Sequence, residues 1–257
     1  MSDDDHGPVR RIRSLAALAV PTAANPMGGS AGGTTVTGAV DASGRPVLLV
    51  RPRDALYPML METRAGGQDV PVSVDMRTVR TLGDIPTVRG RLWFQGWAAP
   101  VPPDAAHDAA LAVWERSPSA ELLAAVDAAD PRGEPAALLA TVEPAMVVYD
   151  TYDASGTVEG DVYLEADPGP LVEPAERIIA HVNACHRDVL TRAVHAISGP
   201  DTGEAWLWEL DGGGATVWVE HGPERPMLIR LPWSSEARCP CELEGAFNRL
   251  LALGAPR

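Results

Sequence analysis

Two imidazoles, a carboxamide and a thiol fall within nine consecutive residues, Ile178-Ile179-Ala180-His181-Val182-Asn183-Ala184-Cys185-His186. Imidazole nitrogen is the usual protein donor for iron and zinc near neutral pH. On a helical wheel of about 100° per residue, Ile178, Val182, Cys185, Val189 and Ala193 make one apolar stripe. His186 falls inside that arc beside Ile179 and Leu190, and His181 and Asn183 lie on its margins. Two readings stay open. His186 is a buried structural histidine hydrogen-bonded to backbone or to a neighbour across a domain interface, or His181 and His186 ligate or position a ligand in a cleft between two domains. Cys185 reads as a small core residue. Of the other four histidines, His6 reads as part of a tail, His107 as a barrel-domain helix residue, His195 as solvent-facing and His221 as part of a turn.

All 21 basic residues are arginine. A lysine Schiff base and a lysine phosphate clamp are therefore excluded, and an anionic ligand must be held by Arg, backbone N–H groups or hydroxyls. Arg89 and Arg91 share a strand face with Trp93 and Trp97. That face either holds the carboxylates or phosphate of an anionic ligand against an aromatic wall, or is an outer solvated surface. Arg51 and Arg53, at the end of a hairpin, are similar candidates. The run Gly28-Gly29-Ser30-Ala31-Gly32-Gly33 matches no spaced phosphate-binding pattern and reads as a flexible loop. Cys239-Pro240-Cys241 admits an axial thiolate, a shared metal, or a helix start. In the last reading Cys239 caps, Pro240 opens the first turn and Cys241 is buried. No Ser-His-Asp order, HExxH, CxxC or paired-carboxylate pattern stands out.

These residues need elements to place them. The chain has 257 residues, 46% hydrophobic, which suffices for a core and excludes wholesale disorder. Residues 1–13 read as a mobile polar tail, and 15–20 as a helix or strand entering the fold. Residues 34–40 and 46–50 form a hairpin about the turn Asp41-Ala42-Ser43-Gly44. Helical spacing follows at 54–64, then strands at 71–75 and 88–98, with Gly90 and Gly96 marking bends or close backbone approach. Helices at 104–114 and 120–128 precede strands at 137–149 and 158–165. Asp167-Pro168-Gly169-Pro170 is the strongest breaker, so the domains are read as 14–166 and 171–257. The second begins with one long helix over 173–197. Strands at 204–210, 215–220 and 226–231 follow, and a helix at 240–253 closes it. The expected class is α+β: a split β-barrel followed by a smaller α-β-β-β-α domain.

Net charge is −14, which argues against a nucleic-acid partner. No apolar run reaches the length of a membrane helix. The odd set Cys185, Cys239 and Cys241 is a poor disulfide framework and fits a reducing cytoplasm.

The helix 178–186 resembles the "I-I-x-H-M-N-x-D-H" helix of a small domain that follows a split barrel in haem-utilisation proteins of the pyridoxamine-phosphate-oxidase-like superfamily. The likeness continues through the three-strand meander, Ile229-Arg230-Leu231-Pro232-Trp233 and the closing helix; residues 88–101 resemble the matching barrel strand. Cys185 stands where the motif has an acid, and Val182 where it has Met. The C-terminal segment lacks the His that degrading members generally place there. The resemblance implies a tetrapyrrole-related protein that binds haem or a haem-like ligand, as a carrier or weak oxygenase. His181, Asn183, His186, Arg89, Arg91, Arg51 and Arg53 are the candidate cofactor residues, with His186 and His181 the candidate iron ligands. It also implies a homodimer through the first domain. A non-enzymatic regulatory or adaptor protein that binds a partner protein is the second reading. A flavin-dependent reductase is the third. Tight FMN binding is not expected, because the phosphate would rest on Arg alone with no anion-binding helix start beside the loop.

Overall fold

A computed structural model of the chain describes residues 6–28, 34–127, 137–199, 202–220 and 226–254. The glycine run beyond Gly28 lies outside them, as does His221. The chain divides into two units. One comprises residues 1–80 and 86–168, the other Thr81–Ile85 and 169–257.

The first unit opens with α1 (His6–Leu18) and β1 (Val20–Pro26), continues with β2 (Thr37–Val40), β3 (Pro46–Val50) and α2 (Leu56–Arg64), and then lays down two long strands, β4 (Val70–Leu82) and β5 (Ile85–Pro100). Helices α3 (Ala106–Trp114) and α4 (Ala120–Asp127) precede β6 (Leu138–Thr151), β7 (Ser155–Glu159) and α5 (Gly160–Glu165). The strand order is β1-β4-β5-β6-β3-β2, and an antiparallel bridge from Ala24 to Thr34 brings the two ends together. The result is a nearly closed antiparallel barrel. One edge of β6 is shared: Leu138 to Thr141 pair with β3, and Met146 to Asp150 pair with β7.

Period-2 patterning decides which side chains fill the barrel. Leu92, Phe94 and Ala98 of β5 join Val72, Val74 and Met76 of β4 inside, with Leu48 and Val50 of β3. The alternate residues Val47 and Leu49 of β3 face outward and are covered by Val113 of α3 and Leu122 of α4. That second cover explains why every residue of β3 is buried. At Gly96 the β5–β6 register shifts, and an added Cβ would lie 2.0 Å from the Glu143 carbonyl oxygen. Only glycine permits that approach.

Two expectations fail in this unit. Residues 6–13 are not a tail: α1 starts at His6, and Ile12, with Leu15 and Ala16 after it, is buried in the barrel core. Arg13 is only 3% exposed. Its Nε donates to the Ala166 carbonyl at 2.9 Å, one Nη to the Tyr163 hydroxyl at 3.2 Å, and the other to the Ala42 carbonyl at 3.3 Å. The guanidinium also lies over the Tyr163 ring, 4.9 Å from its centroid. Gly44, at φ +99°, leaves room for it; a Cβ there would meet Arg13 at 2.1 Å. Residues 158–165 are not one strand either. β7 ends at Glu159, and α5 turns Tyr163 into the core, edge-on to Phe94 at 5.4 Å. Burial pushes the Tyr163 phenol up to about 12.

In the second unit, α6 (Val172–Cys185) and α7 (Arg187–Ser198) replace the single long helix expected, and β8 (Ala205–Asp211), β9 (Gly214–Val219), β10 (Met227–Pro232) and α8 (Pro240–Ala252) follow. The sheet is antiparallel in the order β10-β9-β8. Ala175, Ile179 and Val182 of α6, Leu190 and Val194 of α7, and Leu243 and Phe247 of α8 cover one face, against Ala205, Leu207 and Val217. On the other face, Trp206 and Trp208 cluster with Trp218, Leu228 and Leu82 of the segment Thr81–Ile85.

Arg13→Ala should remove three hydrogen bonds and a cation–π contact from a water-excluded position. A loss of roughly 2–4 kcal/mol is expected, read as a lower urea midpoint at unchanged slope. A midpoint equal to wild type would show that α1 is not fastened through this residue.

Candidate functional site

Asn183 anchors the region. Its Nδ2 donates to the Leu207 carbonyl at 3.0 Å, and its Oδ1 accepts from the Leu207 N–H at 2.8 Å. β8 is an edge strand, and its register against β9 shifts between Leu207 and Glu209. The carboxamide thus supplies the pair of bonds that a neighbouring strand would give there. This amide, a candidate for ligand contact, is spent on the fold.

With Asn183 turned to β8, a residue two positions away points about 200° off, toward solvent. His181 and Cys185 are both exposed accordingly, so Cys185 is not the core residue expected. His186 is exposed as well, which removes the reading of a buried structural histidine. It stands between α6 and α7 with φ −133° and ψ 21°, outside helical geometry. Its N–H still donates to the Val182 carbonyl, and its own carbonyl accepts from Leu190. Asp188, in the first turn of α7, suits the positive end of that helix. The Arg192 hydrogen bond holds its carboxyl below the usual range.

The break carries the His186 ring back onto His181. Their Nε2 atoms are 3.1 Å apart and the rings meet edge to face at 4.8 Å. A hydrogen bond between two imidazoles requires one N–H donor and one bare acceptor, so the contact fixes complementary tautomers. The structure therefore joins the two histidines that the sequence singled out, on the surface of the second unit. His195 is half-buried rather than solvent-facing, with Nε2 2.6 Å from the Thr202 carbonyl oxygen.

The arginine candidates differ in surroundings. Arg51 donates through Nε and Nη2 to Glu121, at 2.9 and 2.6 Å, and holds that carboxyl below its usual range. Arg53 is exposed. Arg89 is buried, while Arg91, Trp93 and Trp97 lie on the outer side of β5 with different degrees of exposure. Sequence reasoning passed over Arg187, next to His186. Its guanidinium is 4.2 Å from the Trp206 ring centroid and pairs with Glu204 at 2.9 Å. A basic residue directly after a metal-binding type of side chain was the available signal. Among the described residues, no group of three or more His, Cys, Asp or Glu is placed to hold a metal ion, and no helix is long and apolar enough to cross a membrane.

The fold has a solved counterpart. A haem binding protein from Mycobacterium smegmatis aligns over 96% of this chain and 96% of its own, with a TM-score of 0.55 and 19% identity. A protein of unknown function from Agrobacterium tumefaciens aligns over 98% and 97% at 20% identity, but with a TM-score of 0.39 that is too low to speak to the fold. At these identities the likeness concerns architecture. No family model and no curated protein sequence matches the chain.

Asn183→Ala should cost about 2 kcal/mol, because two backbone groups of Leu207 lose their partners. Asn183→Asp should be similarly harmful, since a carboxylate cannot donate to the Leu207 carbonyl. Chemical denaturation checks both, and equal stability of all three proteins would contradict the anchoring role.

Proposed function

We propose that the protein binds haem or a closely related tetrapyrrole reversibly, with one imidazole of the His181–His186 pair as iron ligand. The observation that carries this reading is the pair itself, two exposed imidazoles with facing nitrogens 3.1 Å apart, in a fold shared with a haem binding protein.

The donor set suits the group within definite limits. Neutral imidazole is a common axial ligand, and bound iron would supply the redox chemistry. Each neutral imidazole has one nitrogen lone pair to give, the other nitrogen carrying the proton. An Nε2 that took iron would give up its role as acceptor from the other ring, whereas the Nδ1 of the donor ring could hold iron with the pair intact. One imidazole of the pair would hold the iron, and the other would stay beside it. Asn183 keeps its bonds to Leu207 and holds α6 at fixed rotation. Arg187, adjacent in sequence, is paired with Glu204 and stacked on Trp206, so no propionate is assigned to it. An exposed ligand on a helix break favours loading and release, which fits a carrier better than an oxygenase that must shield its intermediates from water.

The barrel unit is proposed to form a homodimer through the outer face of β5, where Trp97 is 49% exposed. An aromatic of this size on a strand face is a common interface anchor. Light scattering at micromolar concentration should give twice the chain mass, and Trp97→Glu should shift it to monomer. A wild-type monomer overturns this assembly.

Titration of the purified protein with hemin should produce a Soret shift that saturates. His181→Ala/His186→Ala should abolish the shift while circular dichroism is unchanged, since both side chains are exposed and surface replacements usually cost within about 0.5 kcal/mol. A double variant that titrates like wild type rules out the pair as ligand. Wild-type protein without any shift rules out the function.

A further inference from the structure

The sequence offered structural roles for Cys239 and Cys241, and the structure gives neither sulfur that role. Cys239 is the N-cap of α8, yet its side chain makes no capping hydrogen bond. Glu242 acts there instead, its carboxylate accepting from the Arg238 N–H at 2.7 Å. Cys241 is exposed and not part of the core. Both thiols are free, and their Sγ atoms are 2.7 Å apart. Cys239 is extended at φ −139° and ψ 162°, and Pro240, with its locked ring, makes the turn between the two sulfurs.

We propose that Cys239 and Cys241 form a dithiol–disulfide redox site that exchanges with small disulfides. Cys241 lines an open cleft of about 500 Å³ together with Glu236, Arg238, Glu242 and Arg249. Arg238 is paired there with Glu236, which leaves Arg249 as the guanidinium that can meet a carboxylate of a small disulfide. Cys239 is assigned as the attacking sulfur from its place at the N-cap, the positive end of a helix of 13 residues. The contact with Cys239 pushes the Cys241 thiol up.

The exchange balances without a further reagent. The Cys239 thiolate attacks one sulfur of the small disulfide, forming a mixed disulfide and releasing one thiolate. That thiolate takes the proton of Cys241. The Cys241 thiolate then attacks Cys239 Sγ, closing the intramolecular disulfide and releasing the second thiolate, which is protonated by solvent. The two cysteines are oxidised, and the external disulfide is reduced to two thiols.

Oxidised glutathione is the probe, with the full chain purified under reductant and then freed of it. Trypsin cleaves after Arg238 and Arg249, so residues 239–249 carry both cysteines of the pair, while Cys185 lies in residues 178–187. In wild type, the peptide 239–249 should lose two hydrogens and keep no glutathione. Cys185 should show at most a glutathione adduct. Cys241→Ser should trap glutathione on Cys239, which loses it only when external thiol is added. A wild-type peptide 239–249 that retains glutathione, or that links two chains instead of closing on itself, overturns the proposal. Reduced mass throughout, at glutathione ratios that modify Cys185, overturns it equally.

Discussion

The carboxamide of Asn183 on the backbone of Leu207 is the interaction that organises the second unit. An edge strand with a register shift presents an N–H and a C=O that no strand can reach. One amide side chain satisfies both. This does more than stabilise the strand, because a helix held at one such point cannot rotate. Ala175, Ile179 and Val182 are thereby directed onto the sheet, and positions 181 and 185 away from it. The chemistry displayed on the surface is a consequence of the bond that faces inward.

The helix break is the second half of the same logic. Measured from Ala175 at about 100° per residue, Ile179 lies at about 40°, Val182 at about −20°, and a His186 in an unbroken helix at about 20°. That is the centre of the buried arc. An imidazole there would need partners for its polar nitrogens in a core made of aliphatic side chains. Departure from helical dihedrals at His186 takes the ring out of the arc and onto the exposed side, where His181 already stands. The wheel drawn from sequence placed the stripe on Ile178, Val182 and Cys185. That centre is displaced from the real one, and it cannot show a break that keeps both helices hydrogen-bonded through residue 186. The histidines were legible as a pair worth attention; their contact was not.

In the barrel, what could be read was periodic. The hairpin of β2 and β3 and the two-faced pattern of β5 both follow from alternation and turn residues. What escaped was non-local. Val158, Gly160, Val162 and Leu164 alternate like a strand, yet Gly160 sits where an added Cβ would meet the Pro144 carbonyl at 1.8 Å, and the chain turns helical from that point. Arg13 escaped for a different reason. Composition marks a segment with three arginines as solvated, whereas the acceptors that satisfy Arg13 come from Ala42, Tyr163 and Ala166, far along the chain.

A chain without lysine makes its arginines serve two purposes, and the structure shows which comes first. Arg13 ties α1 to α5, Arg45 joins the β3 hairpin to Glu143 of β6, and Arg51 ties the end of β3 to Glu121 of α4. Each is held by acceptors that an incoming anion would have to displace, and a guanidinium already paired gains little by exchanging one carboxylate for another. A ligand clamp of the kind expected from Arg51 is therefore weak by construction. The imidazoles are different. The bond between His181 and His186 is a single contact open to water, and breaking it leaves both rings solvated. In the proposed reading, recognition falls where the fold has invested least, at the exposed pair on the helix break, and not at the arginines that tie barrel elements together.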